Sequence, residues 1–418
     1  MELSRYVKVV EQESGVVVFN TINSCVVELP ADKFENGSLC VERLSKSEIQ
    51  YLSENLFFYS DDDAIHYFMG EISPKELHII VSVTELCNLR CAYCYENNAE
   101  IRGVMSLDIL DKIKLYIEGV ISMEPSISAI HFDLIGGEPL LAVDQIEHLV
   151  NIMHNICDRN VFYLLETNGA QFDKRVHKIF DAENVVVHIA LSSKSDHDKW
   201  RPYDNGSGTF STIMENLVSA RDFFSNPHHK LAICYNTNHE NIKYFDLFRK
   251  ELYDALQYEF SVETAYIINY PYNSLKNTLQ FTTYQSWNLE MHFKYKNPNY
   301  QTELFIPTAR RYHQCIAYDR YSIKIFSDGS LGLCNAWVPG NRRGHINHLL
   351  EGGKKEEIFS DLFKKYKSGP ECINCSDLFL CGGKRFCRGN DQCLYSDFSI
   401  DQYLKAFCEG RRCMDESH

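Results

Sequence analysis

Cysteine placement constrains this chain more than any other feature. There are sixteen cysteines; Cys87, Cys91 and Cys94 stand on one short stretch, and nine fall between Cys315 and Cys413. The start, Met1-Glu2-Leu3-Ser4-Arg5, is polar and has no signal-peptide core. No apolar run approaches the roughly 18–20 residues of a membrane span. A cytoplasmic protein without membrane association is therefore expected, and there thiols stay reduced. At this density they point to metal ligation rather than to disulfides. Zinc and iron–sulfur clusters are the two candidates, and spacing has to choose between them.

Composition bounds the rest. The 418 residues are 44 % hydrophobic and 24 % charged, enough core for two or three domains. Wholesale disorder, a collagen-like fibre and a small disulfide-stapled scaffold are excluded. The net charge of −15, from 57 acidic and 42 basic residues, is the wrong sign for a general nucleic-acid binder.

Residues 1–75 read as a small winged-helix-like module. Tyr6–Val10 and Gly15–Asn20 are β-rich and suit a hairpin. A helix follows Ser45, with apolar positions at Ile49, Leu52 and Leu56. Over residues 76–273 strand and helix patterns alternate. Strands are expected at Leu77–Val83, Ala129–Leu134, Val161–Glu166, Val185–Leu191, Leu231–Tyr235 and Phe260–Ile268. Helices are expected at Leu107–Ile121, Val143–Ile156, Asp173–Phe180, Thr209–Phe224 and Asn241–Leu256. This is an α/β pattern with a parallel sheet, open or closed into a partial barrel, and ligands should gather at the carboxyl ends of its strands. Residues 274–312 read as a linker. Residues 313–418 are cysteine-rich and poor in periodic segments, a region that metal clusters can hold together. No fixed-period repeat or low-complexity tract is present.

Directly after the first expected core strand stands Cys87-Asn88-Leu89-Arg90-Cys91-Ala92-Tyr93-Cys94. Its spacing is C-x3-C-x2-C. Three thiolates on one loop can hold three irons of a cubane and leave the fourth iron open to a substrate. Half of a zinc site is the competing reading, but zinc needs a fourth ligand and does not explain three thiols on one loop. With this loop the chain resembles the radical S-adenosylmethionine (SAM) enzymes. In them the loop binds a [4Fe–4S] cluster whose open iron chelates the amino and carboxylate groups of SAM. The resemblance extends to Gly136-Gly137-Glu138-Pro139 after the second strand, where glycine permits close backbone approach. It also takes in Glu166-Thr167-Asn168-Gly169 and Ser192, with His197-Asp198-Lys199-Trp200-Arg201 beyond. The family's usual Asp-Gly after that serine is missing. SAM contacts are thus implied for Tyr93, Gly136, Gly137, Glu138, Thr167, Asn168, Ser192 and Arg201. Taken singly, His197 and Arg201 read as surface loop residues; their place at a strand's carboxyl end argues for the site.

The tail runs Cys315, Cys334, then Cys372-Ile373-Asn374-Cys375, Cys381, Cys387, Cys393, Cys408 and Cys413. This order is similar to the SPASM domain, which carries auxiliary [4Fe–4S] clusters. A zinc ribbon on Cys372 and Cys375 would leave five tail cysteines unexplained. By the resemblance, one cluster takes Cys315, Cys334 and either Cys387 or Cys393. The other takes Cys372, Cys375, Cys381 and a late cysteine, Cys408 ahead of the rest, which would leave Cys413 spare. Cys381 and Cys387 enclose five residues where the family usually has three. Cys25, Cys40, Cys157 and Cys234 sit in apolar patterns and are expected to be plain buried thiols.

The resemblance as a whole implies a partial (β/α)6 TIM barrel radical SAM core between the N-terminal module and a SPASM domain. It implies a maturase that takes hydrogen from a ribosomal precursor peptide with a 5′-deoxyadenosyl radical. The N-terminal module would bind the leader along a strand edge, and a flavodoxin or ferredoxin would supply electrons. A sulfur-to-carbon thioether crosslink is the first expectation, ahead of a carbon–carbon crosslink or epimerisation. An anaerobic sulfatase maturase, which forms formylglycine, is the rival. Those enzymes place a basic Asp directly after the second tail cysteine, and here Asn335 follows Cys334. The intact cysteine loop argues against a non-catalytic peptide-binding partner.

Overall fold

The structure is a computed structural model. It describes residues 1–381 apart from 13–14, 71–73, 95, 97–102, 155, 157, 239, 268–314, 336–339 and 366–369. The expected linker at 274–312, Cys157, Cys387, Cys393, Cys408 and Cys413 lie outside the described residues. The chain divides into two compact units.

The first unit comprises the described residues within Met1–Ile72, Thr282–Tyr318 and Ser360–His418. Its strands β1 (Val7–Gln12), β2 (Gly15–Asn20) and β3 (Cys25–Leu29) form an antiparallel sheet with β2 central. The hairpin is where the sequence puts it; β3 is additional. A central strand covered on both faces explains the continuous Val16-Val17-Val18-Phe19 run, all buried. Two short strands, β4 (Phe34–Glu35) and β5 (Ser38–Leu39), make a second hairpin. Helix α1 (Lys46–Glu54) starts in a capping box: Glu48 N–H donates to Ser45 Oγ, and Ser45 N–H donates to the Glu48 carboxylate. Leu56, expected on this helix, lies beyond its end at φ 63°. Helix α2 (Asp61–Met69) follows, capped by Ser60. Val16, Val18, Leu29, Leu52 and Phe57 form one core. Tyr6, Ile22, Ala64 and Phe68 pack on Leu378 and Phe379 instead. The Tyr6 hydroxyl donates to Ile373 O (2.8 Å), and Lys8 pairs with Asp377 (2.7 Å). The first strand and the Cys372–Cys375 segment thus share a core. Cys25 and Cys40 are only half-buried, a correction to the expectation, because both stand in small edge structures; Cys234 is buried.

The second unit comprises the described residues within Ser73–Phe281 and Asp319–Phe359. Its eight strands run in the order β11-β10-β9-β8-β7-β6-β12-β13. They are β6 (Glu76–Thr84), β7 (Ala129–Gly136), β8 (Asn160–Thr167), β9 (Asn184–Ala190), β10 (His229–Thr237), β11 (Ser261–Tyr266), β12 (Ile323–Ile325) and β13 (Leu331–Gly332). β6 to β11 are parallel, as the alternation predicts. β12 adds in parallel to β6, and β13 pairs with it antiparallel. The crossover helices are α3 (Leu107–Met123), α4 (Val143–Met153), α5 (Lys174–Ile179), α6 (Lys194–Trp200), α7 (Phe210–Ser219), α8 (Arg221–Phe224) and α9 (Phe245–Leu256). The predicted helix at 209–224 breaks at Ala220. That predicted at 241–256 begins as a 3-10 turn, Ile242–Tyr244. Ile109, Leu110, Ile113, Ile117 and Val120 give α3 the i, i+3, i+4 stripe of a helix buried along one face.

Candidate active site

The site is assembled where β6, β7, β8 and β9 end. Gly137 N–H donates to Thr84 O (2.9 Å), and Glu138 N–H donates to Leu86 O (2.8 Å). The end of β7 is thereby laid against the chain that leads into Cys87. The approach leaves no room for a side chain: a Cβ on Gly137 would run into Leu86 O and stand 2.7 Å from Glu85 O. Gly136, at φ 142°, has a conformation that suits glycine alone.

Glu138 is fully buried, and its carboxylate is shared among neighbours. It accepts hydrogen bonds from Thr167 Oγ1 (2.6 Å), Asn168 N (2.7 Å) and Leu140 N (3.0 Å). Burial raises its pKa, and these bonds work in the opposite direction. Glu138 therefore ties the end of β7 to the end of β8. Asn168 Nδ2 in turn donates to Asn88 Oδ1 (2.8 Å) inside the cysteine loop. On its other side the loop is sewn to the end of α6 and the residues just beyond it: Ala92 N–H donates to Trp200 O (3.0 Å) and Arg90 N–H to Pro202 O (2.8 Å).

The three thiols themselves are crowded. Burial, with the neighbouring Cys91 adding to it, pushes the Cys94 thiol up to about 12. Cys87 is raised too, chiefly by burial, and its sulfur accepts a hydrogen bond from Leu89 N–H (3.4 Å). Such thiols ionise only beside strong positive charge, which iron supplies. Arg201 adds more. Its guanidinium is buried, with Nη1 3.4 Å from the Tyr93 hydroxyl, while Nε has no hydrogen-bond partner among the described residues. Burial works against its charge, yet Cys91, Tyr93 and Cys94 raise its pKa. A buried cation facing three thiols fits a cluster held by thiolates.

His197 and Arg201 are not surface loop residues. They sit on and directly after α6, His197 fully buried and Arg201 partly so, with its Nε closed off from solvent. Thr209 Oγ1 donates to Arg201 O (2.8 Å), so at 3.1 Å it accepts from His197 Nε2–H. Burial, with Arg201 second, holds the His197 pKa well below its ordinary value. Asp198 Oδ1 accepts from Thr209 N and Phe210 N, each at 2.8 Å, and so starts α7. Ser192 Oγ donates to Asp196 (3.3 Å), which also accepts from Trp200 Nε1 (3.0 Å) and Asn241 Nδ2 (2.7 Å). Asn88, Asp196, Thr209 and Asn241 were not singled out from the sequence. Asn88 and Asp196 neighbour motif residues; nothing in the sequence marks Asn241.

Of the tail residues, Cys334 and Asn335 follow β13 in the sheet unit, whereas Cys315, Cys372 and Cys375 belong to the other. Asn335 Oδ1 is buried without a hydrogen-bond partner among the described residues. Cys375 N–H donates to Cys372 O (3.1 Å), and Asp377 N–H donates to Cys375 Sγ (3.4 Å). The backbone of this turn therefore already presents a donor to sulfur.

Compared with known families, residues 81–252 match the Radical SAM superfamily. A cysteine-type anaerobic sulfatase-maturating enzyme of Clostridium novyi (strain NT) is 26 % identical over 377 residues, 82 % of this chain and 96 % of its own length. Native anSMEcpe with bound AdoMet superposes with a TM-score of 0.59 at 18 % identity, covering 81 % of this chain and 100 % of that one. Streptococcus suis SuiB bound to S-adenosylmethionine superposes with a TM-score of 0.56 at 14 % identity, covering 96 % of this chain and 100 % of that one. SuiB has also been solved with its precursor peptide SuiA. These structural likenesses establish the fold.

Proposed function

Because residues 81–252 make this chain a radical SAM enzyme, working with a [4Fe–4S] cluster and S-adenosylmethionine, we propose that it modifies a peptide and that Cys87, Cys91 and Cys94 hold the cluster. The observation that carries the peptide substrate is the reach of the Clostridium novyi match, which extends over 82 % of this chain. A relative that shared only the radical chemistry would match little beyond residues 81–252.

When bound at such a cluster and reduced by one electron, S-adenosylmethionine supplies a 5′-deoxyadenosyl radical able to take hydrogen from an unactivated C–H bond. The chain's own part is placement and exclusion of water. The backbone of Gly136 and Gly137 would receive the amino acid portion of SAM. Both Glu138 oxygens are engaged by Thr167, Asn168 and Leu140, so the role left to this carboxylate is to fix the strand ends. Thr167, Asn168 and Ser192 would line the ribose. The Arg201 guanidinium would balance the thiolates' charge, with the Tyr93 hydroxyl 3.4 Å from it. The cysteines Cys315, Cys334, Cys372, Cys375 and Cys381, with partners among Cys387, Cys393 and Cys408, would hold auxiliary clusters. A leader peptide would add along an edge of the β1–β3 sheet, and a flavodoxin or ferredoxin would deliver electrons.

Two outcomes on the peptide compete. Formylglycine formation is favoured by the name of the Clostridium novyi relative. A sulfur-to-carbon crosslink is favoured by Asn335, since an amide is neither charged nor usefully basic near neutral pH. Its Oδ1, without a hydrogen-bond partner among the described residues, can accept a hydrogen bond but cannot take a substrate's proton. We favour the crosslink, with a carbon–carbon bond or epimerisation behind it. Product mass spectrometry on a cysteine-containing precursor tests this. The crosslink leaves a product lighter by two hydrogen atoms with its sulfur retained; an aldehyde with sulfur lost would establish the formylglycine reading instead.

A further inference from the structure

Strands β8 to β11 have two unlike faces. One carries Tyr163, Leu165, Val187, Ile189, Ile233 and Tyr235, all buried. Tyr163 meets Phe180 on this face, and Tyr235 meets Phe245 and Phe248 of α9, so the helices cover it. The opposite face carries Glu166, His188, Cys234 and Glu263, an unusual set for a sheet otherwise rich in Val and Ile. Register brings them together: Glu166 pairs with His188, and Cys234 pairs with Glu263. On the shared β9–β10 edge, Cys234 pairs with Ala190, two residues from His188 and on the same face. His188 Nε2 stands 2.9 Å from Glu263 Oε1. One ligand atom each from His188, Cys234 and Glu263 lies within 4.8 Å of the other two.

Sulfur, imidazole nitrogen and carboxylate oxygen are the donors that zinc takes. Magnesium and calcium prefer all-oxygen sites, so the thiol selects against them. In a tetrahedral zinc site the metal bonds of about 2.0–2.3 Å space the ligand atoms by roughly 3.3–3.6 Å. That spacing lies within what the three side chains already span, so rotamer adjustment is sufficient. Cys234 is buried, whereas the Glu263 side chain is 65 % exposed, which gives a cation a way in. These residues stand on β9, β10 and β11 of the same parallel sheet whose strand ends carry the candidate active site.

We propose that His188, Cys234 and Glu263 bind one zinc-class divalent cation on the open face of the sheet. Three protein ligands leave a fourth position for water. A thiolate or carboxylate of a bound peptide could replace that water; this last clause rests on the peptide reading above, while the cation does not.

The test is metal stoichiometry without peptide, on full-length protein carrying its reconstituted iron. After exposure to Zn2+ and desalting, the wild type should retain a single zinc per chain beyond its iron. Cys234→Ser and His188→Ala should lose it. Glu263→Gln, at an exposed position where folding is not at risk, should weaken zinc affinity at least about tenfold with iron content and melting temperature unchanged. With Co2+ as the probe, the wild type should show thiolate-to-cobalt charge-transfer absorption that Cys234→Ser abolishes. Wild type without zinc, or zinc retained in full by Glu263→Gln and Cys234→Ser alike, would overturn the proposal. So would loss on His131→Ala alone, since Glu76, His78 and His131 form a second set of ligand atoms within 4.8 Å.

Discussion

Gly137→Ala adds one methyl group at the closest backbone approach in the candidate site. Its Cβ would run into Leu86 O and lie 2.7 Å from Glu85 O. Both obstacles are backbone, so no rotamer change relieves them, and residues 85–86 must retreat by the better part of an ångström. Two hydrogen bonds cross the same gap, Gly137 N to Thr84 O at 2.9 Å and Glu138 N to Leu86 O at 2.8 Å. The retreat carries the second towards the outer limit of hydrogen bonding. Overpacking costs about 1–3 kcal/mol and a lost hydrogen bond about 0.5–1.5 kcal/mol, so the variant should be destabilised by roughly 2–4 kcal/mol. Cys87 follows Leu86 directly and moves with it. SAM affinity should therefore fall at least about tenfold, which corresponds to about 1.4 kcal/mol. Gly119→Ala is the matched control. It lies within α3 with nothing inside 4 Å of the added methyl, and should stabilise by up to about 1 kcal/mol through helix propensity. Thermal melts and anaerobic SAM calorimetry on both variants measure these effects. A Gly137→Ala protein that melts like the wild type and binds SAM as tightly would refute the contact on which the site is built.

Asp198→Ala removes the acceptor of two 2.8 Å backbone hydrogen bonds at the start of α7, and should cost about 1–2 kcal/mol in thermal melts; Asp198→Asn, which can still cap, should recover most of it. His197 is neutral in the folded chain because burial, and then Arg201, hold its pKa well below the ordinary value. The unfolded chain takes up a proton below a pH of about 6.5, so the stability gained from a neutral His197 is whole above that pH and lost below it, at up to about 1.4 kcal/mol per pH unit. His197→Gln has no such loss. Its stability deficit against wild type should shrink between pH 7 and 5.5 in denaturant titrations, and a constant deficit would mean that His197 does not stay neutral in the fold.

Much of the sheet is legible in the sequence because its strands are short apolar runs separated by amphipathic helices, and each expected strand from Leu77–Val83 to Phe260–Ile268 has a counterpart. The elements missed have physical reasons. β12 is three residues long and pairs with β6, more than two hundred residues earlier, so no local pattern announces it. β3 alternates weakly because only Leu29 of its five residues is buried. α6 spans Lys194–Trp200 with a single buried residue, His197, and so reads as a polar loop. Motif residues are easier to find than the residues that position them. Gly136, Gly137 and Glu138 stand out as a tetrapeptide with proline, whereas Asn241 reaches Asp196 from another element and carries no signal of its own. The outlying cysteines misled in the opposite direction: an apolar neighbourhood in sequence did not bury Cys25 or Cys40, since Cys25 packs only at the margin of a core from the edge strand β3 and Cys40 follows the small β4–β5 hairpin.

If Cys87, Cys91 and Cys94 hold the cluster at which S-adenosylmethionine is cleaved, as proposed, removing them must end that cleavage. Replacing all three with Ala in one chain, reconstituting it anaerobically and measuring 5′-deoxyadenosine with a strong reductant tests that claim most directly. The expected result is no 5′-deoxyadenosine above the enzyme-free background, while iron bound through the tail cysteines remains and the protein stays folded. Undiminished 5′-deoxyadenosine from the triple variant would contradict it.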